Sequence, residues 1–392
     1  MSGAVEARET RGHGTDAKTL LIAGGGTGGH VFPALAIARE WLRRGGPNGW
    51  EESTEAKDSG SGYPKVRRVV LVGTERGIEA KLVPQTGLPI EFIHAAGLKG
   101  IGGMKFLRNA AMLPAGLWDS EKILHRYQCD VALGVGGYAS GPIMLLSVAH
   151  RIPTVVFEPN VEPGFANRVL GGMATRVAVA HQETAARFGS KSVLTGVPIR
   201  AEFFQIPPKE HRAPYTILIT GGSRGALPIN RAVIESLERL TVRKNQLFIV
   251  HQTGERDYNA VRVAYERCEF QAEVLPFIEN MAERFAQADL IVCRSGAITV
   301  AEVAAAGRAA IFIPFGAATD AHQTSNARAM QDAGAARLLP QTELTPERLT
   351  NEIFSLLDDP QKIAEMEQRA RMLAKPRAVD DIVDLVEKVA RA

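Results

Sequence analysis

Short β-branched apolar runs alternate with longer stretches of helical periodicity along most of this chain. That alternation predicts βα units laid out as parallel sheets. Strands are expected at Thr19–Ala23, Arg68–Val72, Ile90–Ile93, Val131–Gly134, Thr154–Phe157, Val177–Val179 and Ser192–Leu194. The pattern then restarts, with strands expected at Tyr215–Thr220, Leu247–Gln252, Glu273–Pro276, Leu290–Val292 and Ala310–Pro314. Both starts have one form. Thr19–Ala23 runs into GGGTGGH and Ile217–Thr220 into GGSRGA, each a strand, a glycine-rich turn and a helix. Two doubly wound Rossmann-like α/β domains are expected, each opening on a phosphate-type loop. The join falls near Thr195–Pro214, where Pro207, Pro208 and Pro214 cluster. The expected divisions are a disordered tail (1–16), a first domain (17–197), a second domain (198–371) and a final helix of about 372–392. Ile382, Val383, Leu385, Val386 and Val389 give that helix an apolar face. Gly45–Pro64 is a long polar insertion expected to be a loop.

The richest segment lies between Leu290 and Asn326. A short strand enters a Ser295-Gly296 turn, and a helix opens with Thr299 and Glu302 in its first turns. A second strand then leads to a loop carrying Asp320, His322, Gln323 and Asn326. Polar groups thus gather at the carboxyl ends of two strands, the edge where open parallel sheets bind ligands. A helix amino end suits a diphosphate, and a carboxylate just inside it can accept from two ribose hydroxyls. The segment reads as a nucleotide pocket.

Composition narrows this little. A chain of 392 residues is long for one core, and 45% hydrophobic with 23% charged residues is ordinary for a soluble globular protein. A net charge of +3 makes any basic patch local and gives no reason to expect nucleic acid. Cys129, Cys268 and Cys293 are far apart and in no metal-ligand spacing, which points to a reducing compartment without disulfides or zinc. The polar amino terminus has no signal-peptide core. Val131–Ala149 is uncharged, but Gly134, Gly136, Gly137, Gly141 and Pro142 break it into strand, loop and helix rather than a membrane span.

Several residues carry candidate chemistry beside a plainer reading. Gly24, Gly26 and Gly29 satisfy G-x-G-x-x-G, with Glu75 the acid expected after the second strand. His30, at the loop–helix junction, is either a general base near neutral pH or a packing histidine. Tyr138 lines the cleft or packs. Glu158 and Asn160 project from a strand end, or cap the following helix. Arg200 holds a phosphate from the hinge or lies in solvent; Ser223 is placed to donate to the same diphosphate. Phe106, Ala110, Leu113 and Leu117 share one helical face, with Leu107, Ala111 and Trp118 beside it and Lys99, Lys105 and Arg108 flanking. That arc is a buried helix face or a surface for anionic lipid.

Taken in order, GGGTGGH, GTERGIEAKLVP, GVGGYASGP, EPNVEPGFANR, TGVPIR, GGSRGA, PFIENM, CRSGAITVAE and DAHQTSNA resemble the MurG family. These are the UDP-N-acetylglucosamine:undecaprenyl-pyrophosphoryl-muramyl-pentapeptide N-acetylglucosaminyltransferases of bacterial peptidoglycan synthesis. The resemblance runs from about Thr19 to the carboxyl terminus. It implies a GT-B fold with a deep cleft between two Rossmann-like domains and a last helix that returns to the first. It also implies inverting transfer of N-acetylglucosamine from UDP-GlcNAc to the 4-hydroxyl of the N-acetylmuramic acid of lipid I, giving lipid II. The setting it implies is peripheral, at the cytoplasmic face of the inner membrane, with undecaprenyl-linked lipid I, an anionic membrane surface and other cell-wall synthesis proteins as partners. Residue by residue, it puts Ile278 beside uracil and Glu302 on the ribose, with Ala297, Ile298, Thr299, Val300 and Ala301 lining the nucleotide. Gln323 and His322 meet the sugar hydroxyls, and Ser223 and Arg200 the diphosphate. Thr27, Gly28 and Gly29 complete the donor pocket, with Asn160 near the sugar. His30 matches the proposed base and Glu158 is its rival. Tyr138 and Asn167 fall to the acceptor, and Lys105, Phe106, Leu107, Arg108 and Trp118 to the membrane. The family usually has Glu-Gln-Asn where this chain has Glu158-Pro159-Asn160, so Pro159 removes an N–H there. No D-x-D cluster sits at a strand end, so no catalytic metal or other cofactor is expected.

Other readings of the same residues are a different lipid-linked glycosyltransferase and a UDP-GlcNAc 2-epimerase of the same architecture. An NAD-dependent oxidoreductase explains GGGTGGH but gives no role to CRSGAITVAE or DAHQTSNA. A non-catalytic nucleotide sensor keeps Glu302 and has no need of His30.

Overall fold

In a computed structural model describing residues 18–26, 28–45, 67–95, 112–316 and 321–390, the apolar runs pair into two wholly parallel sheets. Thr27, Lys105, Phe106, Leu107, Arg108 and most of the 45–64 insertion lie outside the described residues. The first sheet holds β1 (Lys18–Gly24), β2 (Arg67–Gly73), β3 (Ile90–Phe92), β4 (Val131–Gly136), β5 (Thr154–Glu158), β6 (Arg176–Val179) and β7 (Ser192–Leu194). The second holds β8 (Tyr215–Thr220), β9 (Leu247–Gln252), β10 (Ala272–Leu275), β11 (Leu290–Cys293), β12 (Ala310–Phe312) and β13 (Arg337–Leu338). Their orders are β3-β2-β1-β4-β5-β6-β7 and β10-β9-β8-β11-β12-β13. Each order reverses once, between β1 and β4 and between β8 and β11, and a crevice opens at such a switch point.

The near-continuous apolar character of these strands has a simple cause. Helices cover both faces of each sheet, so residues of either parity are buried. Leu20 and Ile22 enter one core, while Leu21 and Ala23 enter the core on the opposite face. The strands expected from sequence are found, with each end unmoved or moved by one or two residues. β13 was missed: two residues leave no readable period. The segment after β12 was expected to be a loop, but Ala321–Asp332 is a helix. Its inward face rests on Asn326, Ala327 and Met330, too little apolar surface to show a helical pattern.

The last helix, Ala378–Ala390, buries Ile382, Val383, Leu385, Val386 and Val389 in the same core as Leu20, Trp41 and Leu133 of the first sheet. Its polar side meets Arg44, 3.1 Å from Asp380, and Arg67, 2.7 Å from Glu387. The chain therefore passes between the sheets twice. The two passages touch: Gly196 has φ of +88°, and a Cβ there would lie 2.4 Å from the Cβ of Lys375.

Candidate active site

The switch point of the first sheet is built by two glycine loops in contact. β1 ends at Gly24 and β4 at Gly136, and a Cβ at Gly137 would stand 2.2 Å from the carbonyl oxygen of Gly25. Ser140 Oγ ties the pair by donating to Ala23 O (2.7 Å) and Gly136 O (2.9 Å). His30 lies in the first turn of the helix Gly28–Arg43 that follows. Its Nδ1 is 3.0 Å from Gly25 O, which sets Nδ1 as the donor and puts the ring's lone pair on Nε2. The imidazole passes so close to Gly136 that a Cβ there would be 2.9 Å from Nε2. Burial lowers the His30 pKa below its ordinary 6.5, against the pull of the Gly25 carbonyl and of the Glu158 and Glu79 carboxylates. The ring is therefore neutral near pH 7.

Glu79 is a site residue that sequence reasoning missed. The expected acid, Glu75, is exposed, whereas Glu79 is 2% exposed and turned into the first glycine loop. Its Oε2 accepts from Gly26 N–H (2.7 Å), and its Oε1 from Thr74 N–H (2.9 Å) and Thr74 Oγ1 (3.0 Å). The signal was in GTERGIEAKLVP, in the short helix Glu79–Leu82 rather than at the strand end.

Glu158, at the end of β5, is 1% exposed. Its Oε1 accepts from the N–H and side-chain amide of Asn160, both at 2.9 Å. Its Oε2 accepts from Gly164 N–H (2.9 Å) and Asn167 Nδ2 (3.0 Å). Four donors on one carboxylate make it the organiser of its loop, and none of them is an N–H inside the helix that the plainer reading had it capping. Asn167, expected to face an acceptor, is buried on the helix Phe165–Met173 and gives its amide nitrogen to Glu158 and Phe157 O. Tyr138, in contrast, is 60% exposed.

Facing this loop is the second sheet's switch point. The helix Ala297–Ala306 starts at Gly296 with no side-chain cap, and a Cβ at Gly296 would meet nothing within 4 Å. Its first N–H groups thus form an open positive end. Val300 points into the second domain's core, and Ile298 and Ala301 pack toward the core of the first sheet. The Val300 side chain therefore lines no cleft, contrary to the expectation for the whole run. Glu302 lies 3.6 Å from Arg200, whose guanidinium stacks on Phe203. Burial pushes the Glu302 carboxyl up to about 7, with Arg200 opposing the rise.

Gln252, also missed, joins two parts of this half. It donates to Gly222 O (2.8 Å) in the second glycine loop and accepts from Ile278 N–H (2.8 Å). Ile278 is thereby left with its carbonyl as the backbone group to offer a ligand. Ser223 is exposed at the tip of that glycine loop. Gln323 accepts from Phe315 N–H through its side-chain oxygen (2.9 Å), so its amide nitrogen is the end left to meet a hydroxyl.

The two halves meet directly. His322 Nδ1 is 2.6 Å from Glu162 O, and Asn326 reaches both Val161 and Asn160. One cleft thus carries a neutral imidazole and two glycine loops on one wall, and an open helix end with a carboxylate on the other.

Comparison with known proteins gives this arrangement a family. Residues 216–383 match the glycosyltransferase family 28 C-terminal domain, and residues 64–179 its N-terminal domain. A UDP-N-acetylglucosamine–N-acetylmuramyl-(pentapeptide) pyrophosphoryl-undecaprenol N-acetylglucosamine transferase of Myxococcus xanthus is 42% identical, over 93% of this chain and 91% of that protein. A transferase of the same name from Syntrophotalea carbinolica is 43% identical, over 94% and 98%. Among solved structures, Acinetobacter baumannii MurG superposes with a TM-score of 0.75 at 33% identity, covering 95% of this chain and 99% of that one. A UDP-GlcNAc 2-epimerase of Neisseria meningitidis shares the fold, with a TM-score of 0.65 at 12% identity over 95% and 100%.

Proposed function

The chain belongs to the MurG family of glycosyltransferase family 28, and on that premise we propose that it moves N-acetylglucosamine from UDP-GlcNAc to the 4-hydroxyl of the muramyl sugar of lipid I, forming lipid II. The observation that carries the reading is the identity of about 42% along nearly the whole length of transferases so named. The epimerase shares only the fold.

The second domain takes the donor. The ribose hydroxyls meet Glu302, the diphosphate meets the open end of the helix Ala297–Ala306 together with Arg200 and Ser223, and uracil meets the carbonyl of Ile278. Gln323 and His322 turn toward the sugar, with Asn160 opposite them. The first domain takes the acceptor between its glycine loops and Tyr138. Inversion requires the acceptor oxygen to attack the anomeric carbon on the face away from UDP while a base removes its proton. His30 is that base, neutral through burial and with its lone pair on Nε2. Glu158 shapes the loop beside it.

Lipid I is delivered by a membrane-facing surface on the first domain. Phe165, Val169 and Met173 recur every four residues along the exposed side of the helix Phe165–Met173, and Trp118 is exposed on the helix Leu113–Tyr127. The helix Ser140–Ala149 packs against both and adds exposed Leu145. Exposed Arg168 and Lys122 supply positive charge for anionic lipid. Among the described residues no helix is long and apolar enough to cross a membrane.

The test is transfer of label from radioactive UDP-GlcNAc into the lipid phase with a lipid I analogue. Label entering the lipid phase only when the analogue is present supports the reading. A protein that binds UDP yet leaves the lipid unlabelled overturns it.

A further inference from the structure

We propose that Asn326 is the positioning residue that joins the two halves of the cleft, holding the Glu158 loop of the first domain against the donor-sugar end of the second. The proposal rests on the transferase reading and adds to it a group that need touch neither substrate. Asn326 is wholly buried on the helix Ala321–Asp332, one turn beyond His322 and Gln323. Its Oδ1 accepts from Val161 N–H at 3.0 Å. Its Nδ2 donates to Asn160 Oδ1 at 3.1 Å and to Ser295 O at 3.3 Å. Two of these three bonds cross from one domain to the other.

The joint has only one orientation. Asn160 gives its own amide nitrogen to Glu158 Oε1 at 2.9 Å, so its oxygen must point at Asn326. Val161 can only donate and the Ser295 carbonyl can only accept, so the amide of Asn326 cannot be flipped without losing all three bonds. On the donor side the chain of contacts continues, for Ser295 Oγ donates to Gln323 O at 2.8 Å. Asn326 therefore ties the residue proposed to face the sugar from the first domain to the turn that opens the nucleotide helix.

Attack on an anomeric carbon demands close alignment, and a displacement of about 1 Å can cost on the order of 100-fold in rate. A joint that sets one wall of the cleft against the other acts on that alignment. It does not act on the binding of UDP, for which Ile278, Glu302, Ser223 and Arg200 are the groups proposed in the second domain.

The test compares wild type with Asn326→Ala in three readouts: UDP affinity, kcat at saturating donor, and hydrogen exchange at the Val161 amide. The expected result is UDP affinity within about threefold, kcat lowered on the order of 10- to 100-fold, and lost protection at Val161. Asn160→Ala breaks the joint from its more open side and keeps the question answerable if Asn326→Ala does not fold. It should lower kcat similarly, and the double variant should fall little further than the worse single one, as coupled partners do. Unchanged kcat, a loss of UDP affinity as large as the loss of kcat, or multiplying effects in the double variant would each overturn the proposal. Unaltered exchange at Val161 overturns it without reference to activity. A wild type that transfers no label overturns the transferase reading instead, so the two failures are told apart.

Discussion

Burial moves His30 and Glu302 from their ordinary pKa in opposite directions, on opposite walls. His30 is lowered by burial, so a base with a value below 6.5 should govern the acid limb of kcat. His30→Ala is expected to lower kcat by roughly 10²–10⁴-fold and to abolish that limb, with UDP affinity little changed. A pH profile of kcat at saturating donor checks it; retention of the limb in His30→Ala would give the proton to another group. Glu302 is raised to about 7 by burial, so donor affinity should rise as pH rises through 7 and its carboxylate becomes a full acceptor for the ribose. Glu302→Ala removes a charged hydrogen-bond acceptor worth about 1.5–3 kcal/mol, so UDP should bind roughly 10- to 150-fold more weakly and lose that pH dependence. Calorimetric titration with UDP between pH 5.5 and 8.5 (chosen to bracket roughly the value of about 7) reads both effects. The two groups separate cleanly, because kcat at saturating donor is blind to donor affinity.

At the scale of elements, the helix Phe165–Met173 serves two surfaces. Its inner face carries Asn167 onto Glu158, while its outer face exposes Phe165, Val169 and Met173. Val169→Glu with Trp118→Glu is expected to release the protein from anionic vesicles and to leave turnover on a short-chain soluble acceptor near normal. Co-sedimentation unchanged in that double variant would remove this face from the membrane. The same helix shows what sequence makes legible. Strands were readable because burial on both faces writes a plain apolar run, and both glycine loops because a strand-to-helix turn beside another backbone needs glycine. The arc near Phe106 lies, but for its end at Leu113–Trp118, outside the described residues. The face at Val169 was not legible, because three apolar side chains spaced by four residues look the same whether they face a core or a lipid. Asn326 was legible as a polar group after β12, though not as a joint between the halves, and Glu79 and Gln252 stayed hidden for a related reason. Each acts by accepting or donating to backbone far away in sequence, and a lone buried carboxylate or amide leaves no local period. Glu158 was legible as a polar group at a strand end, but only its four bonds show that it organises the loop.

The whole molecule is two sheets joined by two passages of chain, and an ionic clamp holds the segment after the first passage to the segment before the second. His211 lies between Asp289, 2.9 Å from its Nδ1, and Glu367, 3.1 Å from its Nε2. Lys209 reaches the other oxygen of Asp289 at 2.6 Å, and buried Arg308 stands 3.8 Å from Glu367. Burial alone would favour a neutral imidazole, but the hydrogen bonds and charges of the two carboxylates outweigh it and hold His211 up to about 9. The sign follows from that rise. With the folded value above the unfolded one of about 6.5, the clamp's contribution is complete below pH 6.5 and is lost as pH rises through 9. The size is on the order of 3 kcal/mol, since each tenfold change in proton affinity is worth about 1.4 kcal/mol. Glu302 acts in a different window: its folded value lies above the ordinary one, so the donor-free protein loses stability as pH rises from 4.5 to about 7. Thermal unfolding should therefore show two descending steps, one below neutrality and one above it. His211→Gln is expected to lower the melting temperature most at pH 6 and to erase the upper step only. Saturating UDP is expected to flatten the lower step only. If the upper step persists in His211→Gln, the charge that holds the two passages to the second sheet resides elsewhere in the Lys209–Asp289–Glu367–Arg308 cluster.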